Sequence, residues 1–259
     1  MSAPEKIIKK IKISSGDRIS IVNSSTKVIQ EVTLTVKLNG IPLATIACAG
    51  IHLKELAAGF LRSERIIARN SEIDNIEIDK NKNVANVTLK RKIYLPESSV
   101  KNIASSGARG KANIDSLLPL NVPADFTIKT TVALKLMDEL LNGSVVHNQT
   151  GGTHCSALAV RKKIVALRED IGRHNTIDML GGYALLQKIK LHKTIILTTG
   201  RISSEIVYKV WNMGIPVIIS HSAPTVNAVA LSRKANVVLI GYVRGGRMNI
   251  YSHERRVII

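Results

Sequence analysis

From Glu31 the chain alternates, with Val32, Leu34, Val36 and Leu38 on one face and Thr33, Thr35 and Lys37 on the other. Asn39-Gly40 and the run Ile41–Ala47 follow, a pattern that predicts a hairpin closed by a primed turn. In His52–Arg62 the apolar positions Leu53, Leu56, Ala57, Phe60 and Leu61 have the spacing of one helix face. Ile73–Ile78 and Val84–Leu89, separated by Asp-Lys-Asn-Lys-Asn, predict a second hairpin. The first part of the chain therefore reads as a small antiparallel sheet with one helix.

Residues 94–125 show little periodicity and many small or breaking residues, including Pro96, Gly107, Gly110, Pro119 and Pro123. A segment of that length without pattern is expected to be a functional loop or a linker. A helix is then expected from a cap at Asp125 or Thr127 through Leu141, ended by Gly143. Beyond it the elements alternate. Ala157–Val160, Ile164–Leu167, Thr194–Thr199, Val217–Ser220 and Val237–Ile240 read as strands. His174–Lys190, Ser203–Asn212 and Thr225–Lys234 read as helices. Strands alternating with helices predict an α/β unit whose largely parallel sheet is covered on both faces. The expected division is a β-rich domain over 1–125, with 94–125 as its flexible loop, and an α/β domain over 126–259.

In such a sheet ligands bind at the carboxyl ends of strands. Leu167 leads into Arg168–Asn175, Thr199 into Gly200–Glu205, Ser220 into His221–Thr225, and Ile240 into Gly241–Arg247. Each loop offers helix N-terminal amides, hydroxyls or guanidinium groups, which suit anions. Four such loops on one edge predict a crevice for a ligand carrying several phosphates. Taken singly the residues are ambiguous: Ser203, Ser222 and Thr225 also read as helix caps, His174 as a structural hydrogen-bonding group, and Arg244-Gly-Gly-Arg247 as an exposed turn.

Charge strengthens the anion reading. Thirty-seven Lys and Arg against nineteen Asp and Glu leave a net +18. The surplus is not a tail, since residues 1–125 carry 19 against 12 and residues 126–259 carry 18 against 7. A chain this basic attracts phosphates on nucleotide, cofactor or nucleic acid. Single-strand nucleic-acid binding wants aromatic platforms, and aromatics are only 3%. No apolar stretch approaches the roughly 20 residues that cross a bilayer, and the lysine-scattered start is not a signal peptide. The expectation is a soluble, cytoplasmic protein with no membrane association. Two cysteines, Cys48 and Cys155, are too few for a disulfide scaffold or a four-cysteine zinc site. A zinc deaminase would need His-x-Glu and Cys-x-x-Cys. Here His154 precedes Cys155-Ser156 and no Cys-x-x-Cys occurs, so no zinc is expected.

The segments EDIGRHNTIDMLGG (169–182), TGRISSEIV (199–207), SHSAPTVNAVAL (220–231) and GYVRGGRMNIYS (241–252), with TGGTHCSAL (150–158) and LKELAAGFLRSERII (53–67) upstream, resemble the ordered motifs of the FdhD family. These are formate dehydrogenase accessory sulfurtransferases. The resemblance runs from about Glu31 to Ser252. It implies a C-terminal, three-layer cytidine-deaminase-like domain without the zinc site, behind a smaller N-terminal antiparallel β/α domain. It implies sulfur passed from a cysteine desulfurase, as a persulfide, to the molybdenum bis(molybdopterin guanine dinucleotide) cofactor of formate dehydrogenase. A homodimer stays open as the assembly. The segment Tyr242, Val243, Arg244, Gly245, Gly246 and Arg247 matches the family's cofactor-binding stretch. Arg173, His174, Asn175, Arg201, Ser203, Ser222 and Thr225 are expected to join it.

One departure matters. The family has Cys-Gly-x-Cys-Gly in the loop after the second hairpin, where a cysteine holds the persulfide. The matching stretch is ASSGARGKA (104–112), with Ser106 and Arg109 at the two cysteine positions. Neither residue forms a persulfide. Cys155, in a glycine-rich turn beside the crevice, is the candidate substitute, and the alternative is a small buried cysteine leading into a strand. Cys48 reads as packing. A sulfurtransferase, a non-catalytic chaperone of the molybdenum or tungsten cofactor, and a basic nucleic-acid-binding protein all remain open.

Overall fold

A computed structural model of the chain describes residues 5–14, 18–91, 101–103, 118–123 and 126–259. Glu5–Ser14 (β1) and Arg18–Lys27 (β2) pair antiparallel in a sheet of their own. Periodicity did not mark them, because Ile7-Ile8 and Lys9-Lys10 put like residues on successive positions.

The alternating segment folds as expected into Val32–Leu38 (β3) and Ile41–Cys48 (β4), with Leu34, Val36 and Leu38 buried. Asn39 (φ 48°) and Gly40 (φ 84°) both take the left-handed conformation that a two-residue hairpin demands. The helix is Leu53–Ser63 (α1), and the second hairpin is Ile73–Asp79 (β5) with Val84–Leu89 (β6). With Lys101–Ile103 (β7) they form a sheet of order β5-β6-β3-β4-β7. The expectation of a purely antiparallel sheet is corrected. β3 pairs with β6, and β4 with β7, in parallel. The chain leaves β4 through α1 before it returns, so the hairpins meet across a crossover that local alternation cannot report.

Ile128–Lys129 (β8) pairs with Val257–Ile258 at the far end of the chain. That pairing draws out residues expected inside a helix. The helix is Thr130–Gly143 (α2), with Lys129 at its N-cap and no side-chain cap; Thr127 does not cap it, and Asp125 lies outside the described residues. After the short Val145–Thr150 helix (α3) come His154–Val160 (β9), Lys163–Asp170 (β10), Arg173–Leu186 (α4), Thr194–Thr198 (β11) and Ser204–Asn212 (α5). Val217–Ser220 (β12), Val226–Lys234 (α6), Val238–Arg244 (β13), Arg247–Ser252 (β14) and Val257–Ile258 (β15) complete the chain.

The six-stranded sheet runs β10-β9-β11-β12-β13-β14. Only β11–β12 and β12–β13 are parallel, so the sheet is mixed rather than largely parallel, bounded by the hairpins β9–β10 and β13–β14. Both faces are covered. Leu158, Ile196, Ile218 and Leu239 pack under α4, α5 and α6 with Ile177, Leu180, Ile206 and Val210. Ala157, Leu197, Ile219 and Ile240 pack against Leu136, Met137 and Leu140 of α2. Met179 and Leu185 of α4 also belong to the core under the five-stranded sheet, so one helix serves both sheets. A buried cluster reinforces that junction: Lys209 donates to both carboxylate oxygens of Asp178 at 2.6 Å, and Ser63 Oγ donates to Asp178 Oδ1 at 2.6 Å. Among the described residues no helix is long and apolar enough to cross a membrane.

Candidate functional site

β10 and β11 both run antiparallel to β9, while β11, β12 and β13 run parallel to one another. The carboxyl ends of β10, β11, β12 and β13 therefore share one edge with the start of β9. A cleft of about 420 Å³ opens there. Gly151, Gly152, Thr153 and His154 line it on the way into β9, and Leu141 and His147 line it from α2 and α3. Ile171, Thr199 and His221 come from three strand ends. Three of the four loops picked from the sequence thus meet in one place.

The fourth is not a strand-to-helix loop. β13 runs on to Arg244, Gly245 (φ 56°) and Gly246 (φ 71°) make a two-residue turn, and Arg247 opens β14 opposite Arg244. Glycine suits this turn because both positions need positive φ. Val243 is buried and points into the core. Tyr242, itself left-handed at φ 58°, is exposed, and the Arg244 guanidinium lies 3.7 Å from its ring centroid. Arg244 also acts on His221, whose pKa is lowered first by burial and then by that neighbouring charge.

The remaining predicted residues divide by what already occupies them. Ser203 and Thr225 are helix N-caps: Ser203 Oγ accepts from the Ile206 amide at 3.4 Å and Thr225 Oγ1 from the Ala228 amide at 3.2 Å. Thr225→Ala is expected to cost about 1 kcal/mol of stability, read as a lower denaturation midpoint at unchanged slope. Ser222 joins two strand ends, its amide donating to Ser220 Oγ at 2.9 Å and its carbonyl accepting from the Tyr242 amide at 3.0 Å. Arg201 is exposed. Arg173 is half-buried at the start of α4, packed on Gly200, and its buried Nε has no hydrogen-bond partner among the described residues.

His174 and Asn175 face inward rather than lining the pocket beside Arg201 and Ser203. His174 is buried with Nδ1 3.5 Å from the Glu205 carboxylate. Asn175 Nδ2 donates to the Ala47 carbonyl at 2.8 Å and to Asp170 Oδ1 at 2.7 Å. Asp170 further accepts from the Ala49 and Gly172 amides. The first turn of α4 is thus used to fasten the two sheets together. Ser106 and Arg109 lie outside the described residues.

Cys155 sits behind the cleft, fully buried, with Sγ 3.6 Å from Glu169 Oε1. Burial, with Glu169 adding its charge and Ser144 opposing through a hydrogen bond, pushes its pKa up to about 12. Cys48 is equally buried in β4, and burial pushes it to about 12 as well. Both side chains have the surroundings of packing cysteines, not of nucleophiles. The sequence did not single out His147 or His221 as site residues, and it raised His154 only as a zinc ligand or a neighbour of Cys155. α3 is too short to show periodicity. The signal that was present is the Gly-Gly-Thr-His run before a strand and a histidine directly after another.

Comparison with known proteins places this geometry in context. A model described as the FdhD/NarQ family matches residues 29–258. A protein of Staphylococcus haemolyticus named sulfur carrier protein FdhD is 34% identical over 242 residues, covering 92% of each chain. A protein of the same name from Bacillus licheniformis is 34% identical over 251 residues, covering 95% of each. A crystal structure from Desulfotalea psychrophila, provisionally described as a formate dehydrogenase accessory protein, superposes with a TM-score of 0.77 at 24% identity over 98% of this chain and 99% of that one.

Proposed function

The chain belongs to the FdhD/NarQ family, and from that premise we propose that it is a formate dehydrogenase accessory protein that binds a guanine-dinucleotide molybdenum or tungsten cofactor. It holds the cofactor at the strand-end cleft for a client enzyme. The observation that carries this reading is the meeting of that cleft with the Tyr242–Arg247 hairpin, whose Tyr242 amide donates at 3.0 Å to the carbonyl of Ser222, the residue after the cleft's His221.

The donor set fits such a ligand. Arg244 and Arg247 are exposed at the hairpin tip for phosphates. The Arg173 charge acts on His154 at the cleft. Tyr242 offers an aromatic plane of the kind on which a base stacks for about 1–3 kcal/mol. Ligand pockets run to roughly 300–1,000 Å³, so the cleft admits one nucleotide arm while the rest of the cofactor lies outside. The C-terminal layers, a mixed sheet with helices on both faces, support the cytidine-deaminase-like description. We place the protein in the cytoplasm, with formate dehydrogenase as client, a cysteine desulfurase as the family's sulfur source, and a homodimer as its assembly.

The relatives are named sulfur carriers. For this chain we assign the cofactor-holding part of that role without the persulfide, because its only two thiols are the buried Cys48 and Cys155. Titration with guanosine diphosphate tests the cofactor assignment. Each charge-assisted contact contributes about 1.5–3 kcal/mol, so Arg244→Ala and Arg247→Ala should each weaken binding about tenfold or more. Wild-type affinity in both variants removes the hairpin from the site.

A further inference from the structure

His147, His154 and His221 all line the cleft, and the proposed function does not yet use them. His147 Nδ1 lies 2.6 Å from the Thr153 carbonyl oxygen. A carbonyl only accepts, so Nδ1 carries the hydrogen and Nε2 remains for the cleft. His154 opens β9 within reach of the charges of Arg173 and His147. His221 follows β12 within reach of Arg244 and His147.

The nearby carboxylates are turned elsewhere. Glu169 accepts from the Val146 and His147 amides at the start of α3 and approaches Cys155. Asp170, opposite His154 in the ladder, accepts from Ala49, Gly172 and Asn175. The cleft therefore gathers three histidines, two of them near the charges of Arg173 and Arg244, and among the described residues no carboxylate pairs with these rings. A negative ligand supplies the charge that this set lacks.

We propose that the cleft is a proton-coupled anion site, in which His154 and His221 each take up a proton from solvent as a phosphate group enters and then donate to it. Burial, followed by the neighbouring cations, lowers the pKa of both histidines in the free protein, so near neutral pH both are neutral before loading. A bound phosphate reverses the local field and favours the imidazolium, which makes the stronger, charge-assisted hydrogen bond. The sign follows. The loaded state binds more protons than the free state, so affinity rises as pH falls and weakens as pH rises. Loading and release then respond to pH within the range where histidine titrates.

The inference rests on the nucleotide-site reading, and one experiment separates the two. Guanosine diphosphate is titrated into the full chain by calorimetry in two buffers of different ionisation heat, between about pH 6.5 and 8.5, above the ligand's own phosphate ionisation near about 6. Wild-type protein is expected to take up between about 0.5 and 2 protons on binding, with affinity falling up to tenfold per pH unit for each proton. His154→Gln and His221→Gln should each reduce the uptake, and the double variant should bind with almost none. Binding without proton uptake, or uptake unchanged in the double variant, overturns the proton coupling and leaves the nucleotide site standing. No binding at any pH overturns the nucleotide site and the coupling together.

Discussion

Gly182→Ala and Gly59→Ala are each expected to destabilise the protein by at least about 3 kcal/mol, enough to abolish folding in a marginal background. α1 and α4 cross with their backbones in contact at these two residues. A Cβ on Gly59 would lie 1.7 Å from the Asp178 carbonyl oxygen, and one on Gly182 would lie 1.9 Å from that of Glu55. Overpacking costs about 1–3 kcal/mol where side chains can move aside. Here the obstruction is main chain, so only separation of the helices relieves it. Separation would open the core shared by Leu56, Phe60, Met179 and Leu185. It would also pull Ser63 from Asp178 and Glu55 from Arg168, whose Nε donates to Glu55 Oε2 at 2.5 Å. Gly181→Ala is the control. Its Cβ meets the Met213 side chain at 3.1 Å, and a flexible thioether yields for about 1 kcal/mol or less. Chemical denaturation of the three variants checks the contrast, and a Gly182→Ala midpoint equal to that of Gly181→Ala would sink it.

That crossing was not legible in the sequence, and the reason is physical. Gly59 and Gly182 are far apart along the chain, and nothing local to either announces a partner. Residues 174–182 of α4 are buried without a break, so helical periodicity offers no single face to place against a neighbour. Hairpins were legible where alternation and turn chemistry agreed, as at Asn39-Gly40. β14 was missed because its strand is half exposed, with the burial pattern of an edge, and because Gly245-Gly246 suited a phosphate loop as well as a turn. The sheet edge itself was legible, since each strand end carries its own glycines and hydroxyls. The histidines at that edge were not. His147, His154 and His221 meet only because β9 inserts between β10 and β11, and strand order is a long-range property.

Incubated with a cysteine desulfurase and labelled cysteine, the chain is expected to acquire no stable sulfur above background. A persulfide forms by attack of a thiolate on the donor, so both ionisation and access are required. Cys48 and Cys155 are fully buried, with pKa values pushed to about 12. At pH 7 such a thiol is ionised to only about one part in 10⁵, against a few per cent for a free one. Cys155→Ser and Cys48→Ser should therefore change neither the labelling nor activation of a client enzyme. Ser106→Cys supplies a thiol at the position that the sequence resemblance sets against the family's loop cysteine, and labelling of that variant should rise from background toward one sulfur per chain. Stoichiometric labelling of the wild-type protein, lost in Cys155→Ser, would mean instead that the region around β9 opens to the donor and that the buried thiol is the carrier.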